Sequence, residues 1–429
     1  MYISRLVLDH FRSWGHVVVD FTPGINILKG VNGLGKTNVV EAVEMLSTGS
    51  SHRVSSTLPL IERGERKATI RANVNEGDAG EAADGEGDVE AGKPTTYEVT
   101  IAARGANRGR VNGGPSLYMR DIVGRVSSVS FTPEDQRLVS GDPATRRGFL
   151  DQAGALFSPD YAAHLSATTK IARQRVALLK QLQQREETPD RQQAALSGLE
   201  VWTGQFIAEG VALTRARAEL VRNLAGPFAE IYDRLAGGGQ DVGLEYEPSF
   251  DEVLQFTDPG PEISRHFQRL YAGEVARGRN LIGPHRDDLA FTLAGMPARE
   301  FASNGEMWTL ALALKMALFD QIAETRGVRP IVILDDVFAQ LDEHRRSQIL
   351  DFALGQDQVL VTVASGSDIP ERAAGLGGVN IIDVGQLREG SDDANAALVA
   401  QLKAARGPQD ADISEEPSDS GTSGDGEAA

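Results

Sequence analysis

Apolar and polar positions alternate with a period of two at residues 2–8, 17–21 and 25–28, predicting three strands, with Pro23 and Gly24 as the turn that feeds the third. A helix is expected over 38–46, then strands at 68–74, 96–101 and 126–131. From about residue 150 to 270 the pattern turns helical. Residues 164–185 and 201–224 place Leu, Ile, Val and Ala at three- and four-residue spacing, suiting the arms of an antiparallel hairpin and too short for an extended coiled coil. The mixed pattern then resumes: an apolar helix over 309–322, a continuous apolar strand over 330–336, a helix ending near 354, and closing strands at 359–363 and 379–384. The expectation is an α/β fold in four parts. These are an N-terminal lobe (1–150), a helical lobe (151–275), a second α/β section (276–390) and a tail (391–429).

Composition changes this picture in two places. Residues 75–94 carry seven acids and one lysine, and residues 391–429 carry nine acids and two basic residues. Both are rich in Gly, Ala and Ser and poor in apolar bulk, so both are expected to be disordered, the first as an overgrown hairpin loop. Of the net charge of −18 they account for −6 and −7, leaving −5 for the remainder, which leaves room for a basic face. Arg104, Arg108 and Arg110 cluster among glycines as a basic turn, read as solvated surface or as a phosphate-backbone contact. The absence of cysteine excludes disulfides and thiolate metal sites. The start of the chain lacks a signal-peptide pattern, and no apolar run reaches the ~20 residues that cross a bilayer. A soluble, cytoplasmic protein is the expectation.

The chemistry concentrates at Gly30-Val31-Asn32-Gly33-Leu34-Gly35-Lys36-Thr37, which satisfies G-x-x-x-x-G-K-[ST] between a strand and a helix. Glycines let successive backbone N–H groups curl round an anion, and the helix start presents its positive dipole end to the same anion. Lys36 suits the β- and γ-phosphates of a nucleotide, and the Thr37 hydroxyl suits Mg²⁺. The strand over 330–336 ends in two carboxylates: Asp335 is placed to hold Mg²⁺, and Asp336 to orient or deprotonate an attacking water. A second anion site is expected where Ser303 and Gly305 open a helix. One subunit has no evident need for two such sites. They make sense if Ser303 and Gly305 of one copy close over the nucleotide held by Lys36 of another, although an ordinary helix cap accounts for Ser303 taken alone.

The order of these motifs resembles an ABC-type ATPase head and, more narrowly, the RecF family. The resemblance rests on the loop at 30–38, Pro133-Glu134-Asp135, Arg146-Arg147-Gly148-Phe149-Leu150-Asp151, Gly283-Pro284-His285-Arg286-Asp287-Asp288, Ala302-Ser303-Asn304-Gly305-Glu306, and Leu334-Asp335-Asp336-Val337-Phe338. Ala339-Gln340-Leu341-Asp342 follows as the D-loop. The resemblance implies an ATP-binding factor that dimerises, loads onto DNA at single-strand gaps, and works with RecO and RecR to place RecA, supporting the SOS response. Asn304 and Glu306 depart from the Leu-Ser-Gly-Gly-Gln signature of ABC ATPases, and no histidine follows the strand at 359–363. Slow, switch-like hydrolysis fits those departures. The alternatives are the head of an SMC-like chromosome-organising machine, a transporter ATPase subunit, and a non-catalytic nucleotide-dependent scaffold.

Overall fold

The computed structural model describes residues 1–54, 56–76, 93–184, 189–339, 341, 343–365 and 379–390, except for the side chains of 159, 189, 191 and 339. Strands β1 (Tyr2–Phe11), β2 (Trp14–Asp20) and β3 (Gly24–Lys29) lead into helix α1 (Lys36–Thr48). Next come β4 (Lys67–Asn75), β5 (Thr95–Ala102), β6 (Arg108–Val111), β7 (Leu117–Tyr118) and β8 (Ser128–Phe131). The middle of the chain holds α2 (Arg137–Ser140), α3 (Pro143–Phe157), α4 (Pro159–Gln183) and α5 (Pro189–Ala236). After β9 (Val242–Glu247) come α6 (Glu252–Gln255), α7 (Gly260–Arg277), β10 (Asp288–Leu293), β11 (Met296–Pro297) and α8 (Ala298–Phe301). Helix α9 (Asn304–Arg326), β12 (Ile331–Asp335), α10 (Glu343–Ala353), β13 (Gln358–Val363) and β14 (Asn380–Asp383) complete the described chain.

Two sheets build the α/β body. One is antiparallel, in the order β2-β1-β4-β5-β6-β7; the other is parallel, in the order β14-β3-β13-β12-β8. Strand β12 is apolar on both faces, and its alternate residues serve different cores. Ile331 and Ile333 join α1 and the antiparallel sheet, whereas Val332 and Leu334 face α9 and α5. This double burial explains why the run at 330–335 shows no alternation. It also carries the strand tips to one end of the sheet, where α1 begins.

The middle of the chain differs from the pattern-based expectation in three respects. Helix α3 starts at Pro143, ahead of the expected boundary at 151. Helix α5 is 48 residues long, far beyond the 201–224 window, and tolerates Pro227 inside it. Within the stretch read as helical, β9 is a strand that pairs with β10 in a three-stranded antiparallel sheet. Arg108 and Arg110 likewise lie on a strand, β6, rather than in a turn; Arg108 stacks over Tyr118, 4.1 Å from its ring centroid. The acidic insertion starts at Asn75, the last residue of β4, and ends just before Thr95, the first of β5; the two strands pair antiparallel. Residues 77–92, Gln340 and Asp342 of the D-loop, and the tail 391–429 with its short helix expected near 394–405 lie outside the described residues. Among the described residues no helix is long and apolar enough to cross a membrane.

A buried polar knot joins the helical part to the body, and it is made from the two most distinctive motifs. Arg146 on α3 donates to both carboxylate oxygens of Asp288 (2.6 and 2.9 Å), and Arg147 donates to the carbonyl of Asp287 (2.8 Å). Arg217 on α5 donates to Asp287 and Asp151 (2.7 Å each), to the Pro284 carbonyl and to the Tyr161 hydroxyl. Asp287 is fully buried, and burial raises its pKa despite Arg217 and Tyr246. His285 beside it is pushed down to about 4, mainly by burial, so it is neutral at physiological pH. These motifs therefore act as a structural joint, which explains the density of charges there.

Candidate nucleotide site

Helix α1 begins at Lys36, immediately after Gly33 (φ 89°) and Gly35 (φ 101°). Both glycines adopt backbone angles that a side chain resists. At Gly35 there is also no room: a Cβ would lie 2.8 Å from Trp14 Nε1 and 2.9 Å from Ser13 Oγ, and Trp14 Nε1 donates to the Gly35 carbonyl (3.2 Å). The β1–β2 turn is thus a floor for the loop. Gly35→Ala is expected to lose about 2 kcal/mol of stability from strain and clash together. Urea unfolding measures this, and an unchanged midpoint would contradict the packing described.

Lys36 is buried and curls back over the loop. Its Nζ donates to the carbonyls of Gly30 (2.6 Å) and Val31 (3.3 Å) and to Asn32 Oδ1 (3.2 Å). Thr37 Oγ1 donates to Asp335 Oδ1 at 3.1 Å, joining the loop to the tip of β12 across 298 residues of chain. Asp335 also accepts from Thr362 Oγ1 (2.6 Å), and the same hydroxyl accepts from the backbone N–H of Asp336 (2.9 Å). Burial raises the Asp335 pKa, and the neighbouring Asp336 charge raises it further, against the hydrogen bonds from Thr362 and Thr37. Asp336 sits just past the strand with φ 51°, a left-handed angle that aspartate tolerates better than most residues. The structure thus gathers Gly30, Val31, Asn32, Gly33, Leu34, Gly35, Lys36, Thr37, Asp335 and Asp336 at one end of the parallel sheet.

Ser303 and Gly305 are not part of this cluster within one chain. Ser303 caps α9 in a reciprocal box: its hydroxyl donates to Glu306 Oε2 (2.8 Å) and accepts from the Glu306 N–H (3.3 Å). A Cβ at Gly305 would run into the Arg345 guanidinium, so the glycine leaves that cation space at the helix start.

Several residues around the loop escape a motif search. Arg12, at φ 57° in the β1–β2 turn, donates to both carboxylate oxygens of Glu41, 2.9 Å to Oε2. Burial pushes the Glu41 pKa up, but bonds from Arg12 and Ser51 bring it below the ordinary carboxylate value. Arg53 reaches both Glu41 (3.1 Å) and Asn38 (3.2 Å), and Arg388 donates to the Leu34 carbonyl (3.3 Å). His52 pairs with Glu44 at 2.6 Å, and Glu44 outweighs the effect of burial and raises its pKa. Thr362 carried a signal, being the one polar residue in the run 359–363. The arginines carried none, because only the fold brings them to the loop.

The family model described as "RecF/RecN/SMC N terminal domain" matches residues 2–380. The "DNA replication and repair protein RecF" of Bifidobacterium adolescentis is 62% identical over 421 residues, covering 97% of this chain and all of that protein. The chain belongs to the RecF family. A RecF of Beutenbergia cavernae is 38% identical over 397 residues, covering 87% of this chain and 96% of that protein. Among solved structures, "Structure of the recombination mediator protein RecF-ATPrS in RecFOR pathway" superposes with a TM-score of 0.74 at 24% identity, covering 86% of this chain and 94% of that one. "Structure of the recombination mediator protein RecF-ATP in RecFOR pathway" superposes with a TM-score of 0.73 at 24% identity, covering 86% of this chain and 93% of that one. This RecF-family chain accordingly has the α/β, ABC-type ATPase-head fold expected from its motif order.

Proposed function

We propose that the chain binds ATP with Mg²⁺ at the loop 30–37 and dimerises across it. In that state it engages single-stranded or gapped DNA to assist loading of a RecA-type recombinase, in recombinational repair and the SOS response. The observation that carries this reading is the Thr37–Asp335 contact at 3.1 Å. It sets a hydroxyl and a carboxylate, both ligands of a hard cation, beside the only loop in the chain that satisfies the phosphate-binding pattern. The donor set fits the ion: Asp335 is buried, its pKa is raised by burial and by Asp336, and a bound cation would relieve both penalties. Thr37 and Asp335 would hold Mg²⁺, which screens phosphate charge when bound.

The other roles follow from geometry. Lys36 Nζ now donates to two carbonyls and Asn32, weak acceptors that phosphate oxygens replace with charge-assisted bonds. Backbone N–H groups of residues 31–36 and the start of α1 orient the same anion. Asp336, held through its N–H by Thr362, is the carboxylate left to position or deprotonate a water. Slow hydrolysis then resets the dimer. The RecFOR pathway named for the solved relatives supports RecO- and RecR-type mediators as partners, and a DNA-repair role of this kind implies a cytoplasmic location.

The site in one chain lacks Ser303 and Gly305, and a second copy would supply them. Ser303→Arg is therefore expected to bind ATP as a monomer with near-normal affinity while its ATP-dependent dimer weakens at least about tenfold. Loss of the cap costs about 1 kcal/mol, so a melting curve must first establish that the variant is folded. Sedimentation with and without ATP tests the reading; a Ser303→Arg variant that dimerises normally removes the trans assignment.

A further inference from the structure

Helix α4 is a basic strip in an acidic chain. Between Asp160 and Glu186 the sequence contains no carboxylate, yet it holds Lys170, Arg173, Arg175, Lys180 and Arg185 in a protein of net charge −18. Arg175 is spent on structure: it is buried, pairs with Glu274 at 2.9 Å and stacks on Phe267. Beyond Asp160 in the first turn, the exposed positions are Ser166, Thr169, Lys170, Arg173, Gln174, Ala177, Lys180 and Gln183. Their spacing puts them on one face of the helix. Ser166, Thr169, Lys170, Arg173 and Gln174 line an open groove of about 380 Å³. At its far end Lys180 lies against Gly278, between the exposed Arg277 and Arg279. Among the described residues none of Lys170, Arg173, Lys180, Arg277 and Arg279 takes part in an ion pair, whereas Arg265, on the neighbouring α7, is held by Glu262.

We infer that this face of α4, continued by Arg277 and Arg279, is a docking surface for the phosphodiester backbone of duplex DNA. The inference rests on the proposed DNA-binding function and adds where, and to which part of a gapped molecule, the protein holds. Three observations select that partner. Lys and Arg interleaved with Ser, Thr and Gln are the donor types that contact backbone phosphates without reading bases. From Ser166 to Lys180 the helix rises about 21 Å, which spans about six phosphates of one strand of a duplex. No aromatic side chain stands among the exposed residues of the strip, so it offers no stacking platform for the unpaired bases of a single strand. The surface thus suits the double-stranded flank of a gap, sequence-independently and through charge.

The test uses the full chain with ATP and a short labelled duplex, titrated over a series of salt concentrations. Lys170→Ala/Arg173→Ala is expected to weaken duplex binding at low salt by about tenfold or more. It should also reduce the slope of log K against log salt by about 1.8, or 0.9 for each phosphate contact removed. Because both residues are exposed, the melting temperature and ATP-dependent dimerisation should stay unchanged. A control pair, Arg63→Ala/Arg66→Ala, removes two exposed cations elsewhere and should leave the slope as in the parent. An α4 variant with the parent slope overturns this surface and leaves the DNA reading standing. Equal losses in the two pairs overturn it too, because net charge alone would then explain both. A parent chain that retains no duplex in ATP overturns this inference, and failure on gapped DNA as well overturns the function on which it rests.

Discussion

Lys36→Ala is expected to abolish ATP-dependent dimerisation. The ammonium is the loop's own cation and is folded over it, donating to Gly30 O, Val31 O and Asn32 Oδ1. Losing a charge-assisted hydrogen bond costs about 1.5–3 kcal/mol, and Lys36 would give more than one to a triphosphate, so ATP affinity should fall about 100-fold. Linkage turns that into a switch. ATP at about 100 times its dissociation constant favours a closed state that alone binds it by about 2.7 kcal/mol; after a 100-fold loss the same ATP contributes about 0.4 kcal/mol. Sedimentation with ATP should then show monomer where the parent chain shows dimer. Dimers of Lys36→Ala indistinguishable from the parent's would sink the ATP-gated reading, and a thermal melt guards against a misfolded variant.

Arg217→Met should be the most destabilising single substitution outside the apolar cores. The residue is 2% exposed and holds Asp287, Asp151, the Pro284 carbonyl and the Tyr161 hydroxyl at once. Removing one partner of a buried ion pair leaves the other charge uncompensated, typically costing about 3–5 kcal/mol. The sign of the pH effect follows from Asp287. Its pKa in the folded chain is already above the ordinary value because of burial, and loss of Arg217 raises it further. The penalty is therefore full above that raised folded pKa and shrinks as pH falls through it, because the protonated acid needs no counter-charge. Urea unfolding of parent and variant at neutral and mildly acidic pH measures both parts. A loss under about 1 kcal/mol, or one that grows toward acid, would show that the knot does not hold the helical part to the body.

The sequence by itself determined the elements whose causes are local. Gly33 and Gly35 signal positive φ before a helix, and the apolar run at 330–336 with its two aspartates signals a parallel strand with a charged tip. The motif order was enough to indicate the RecF family and the ABC-type head. Tertiary structure decided what depends on distant chain segments. Thr37 meets Asp335, 298 residues away, only because β12 and β3 flank β13 in one parallel sheet. Arg12 and Arg53 reach the start of α1, and Arg388 the loop itself, from three separate segments, so no local spacing encodes them. Strand β9 was hidden in a helical context because it pairs with β10, a distant segment in which Leu293 faces Val242 and Asp288 faces Glu247. Helix α5 ran past its periodic window because packing against α4, α9 and β9 supports turns whose own pattern is weak. The distinctive charges at 146–151 and 283–288 read as chemistry in the sequence. In the fold they are a buried joint, because only burial turns arginines and aspartates on separate elements into obligatory partners.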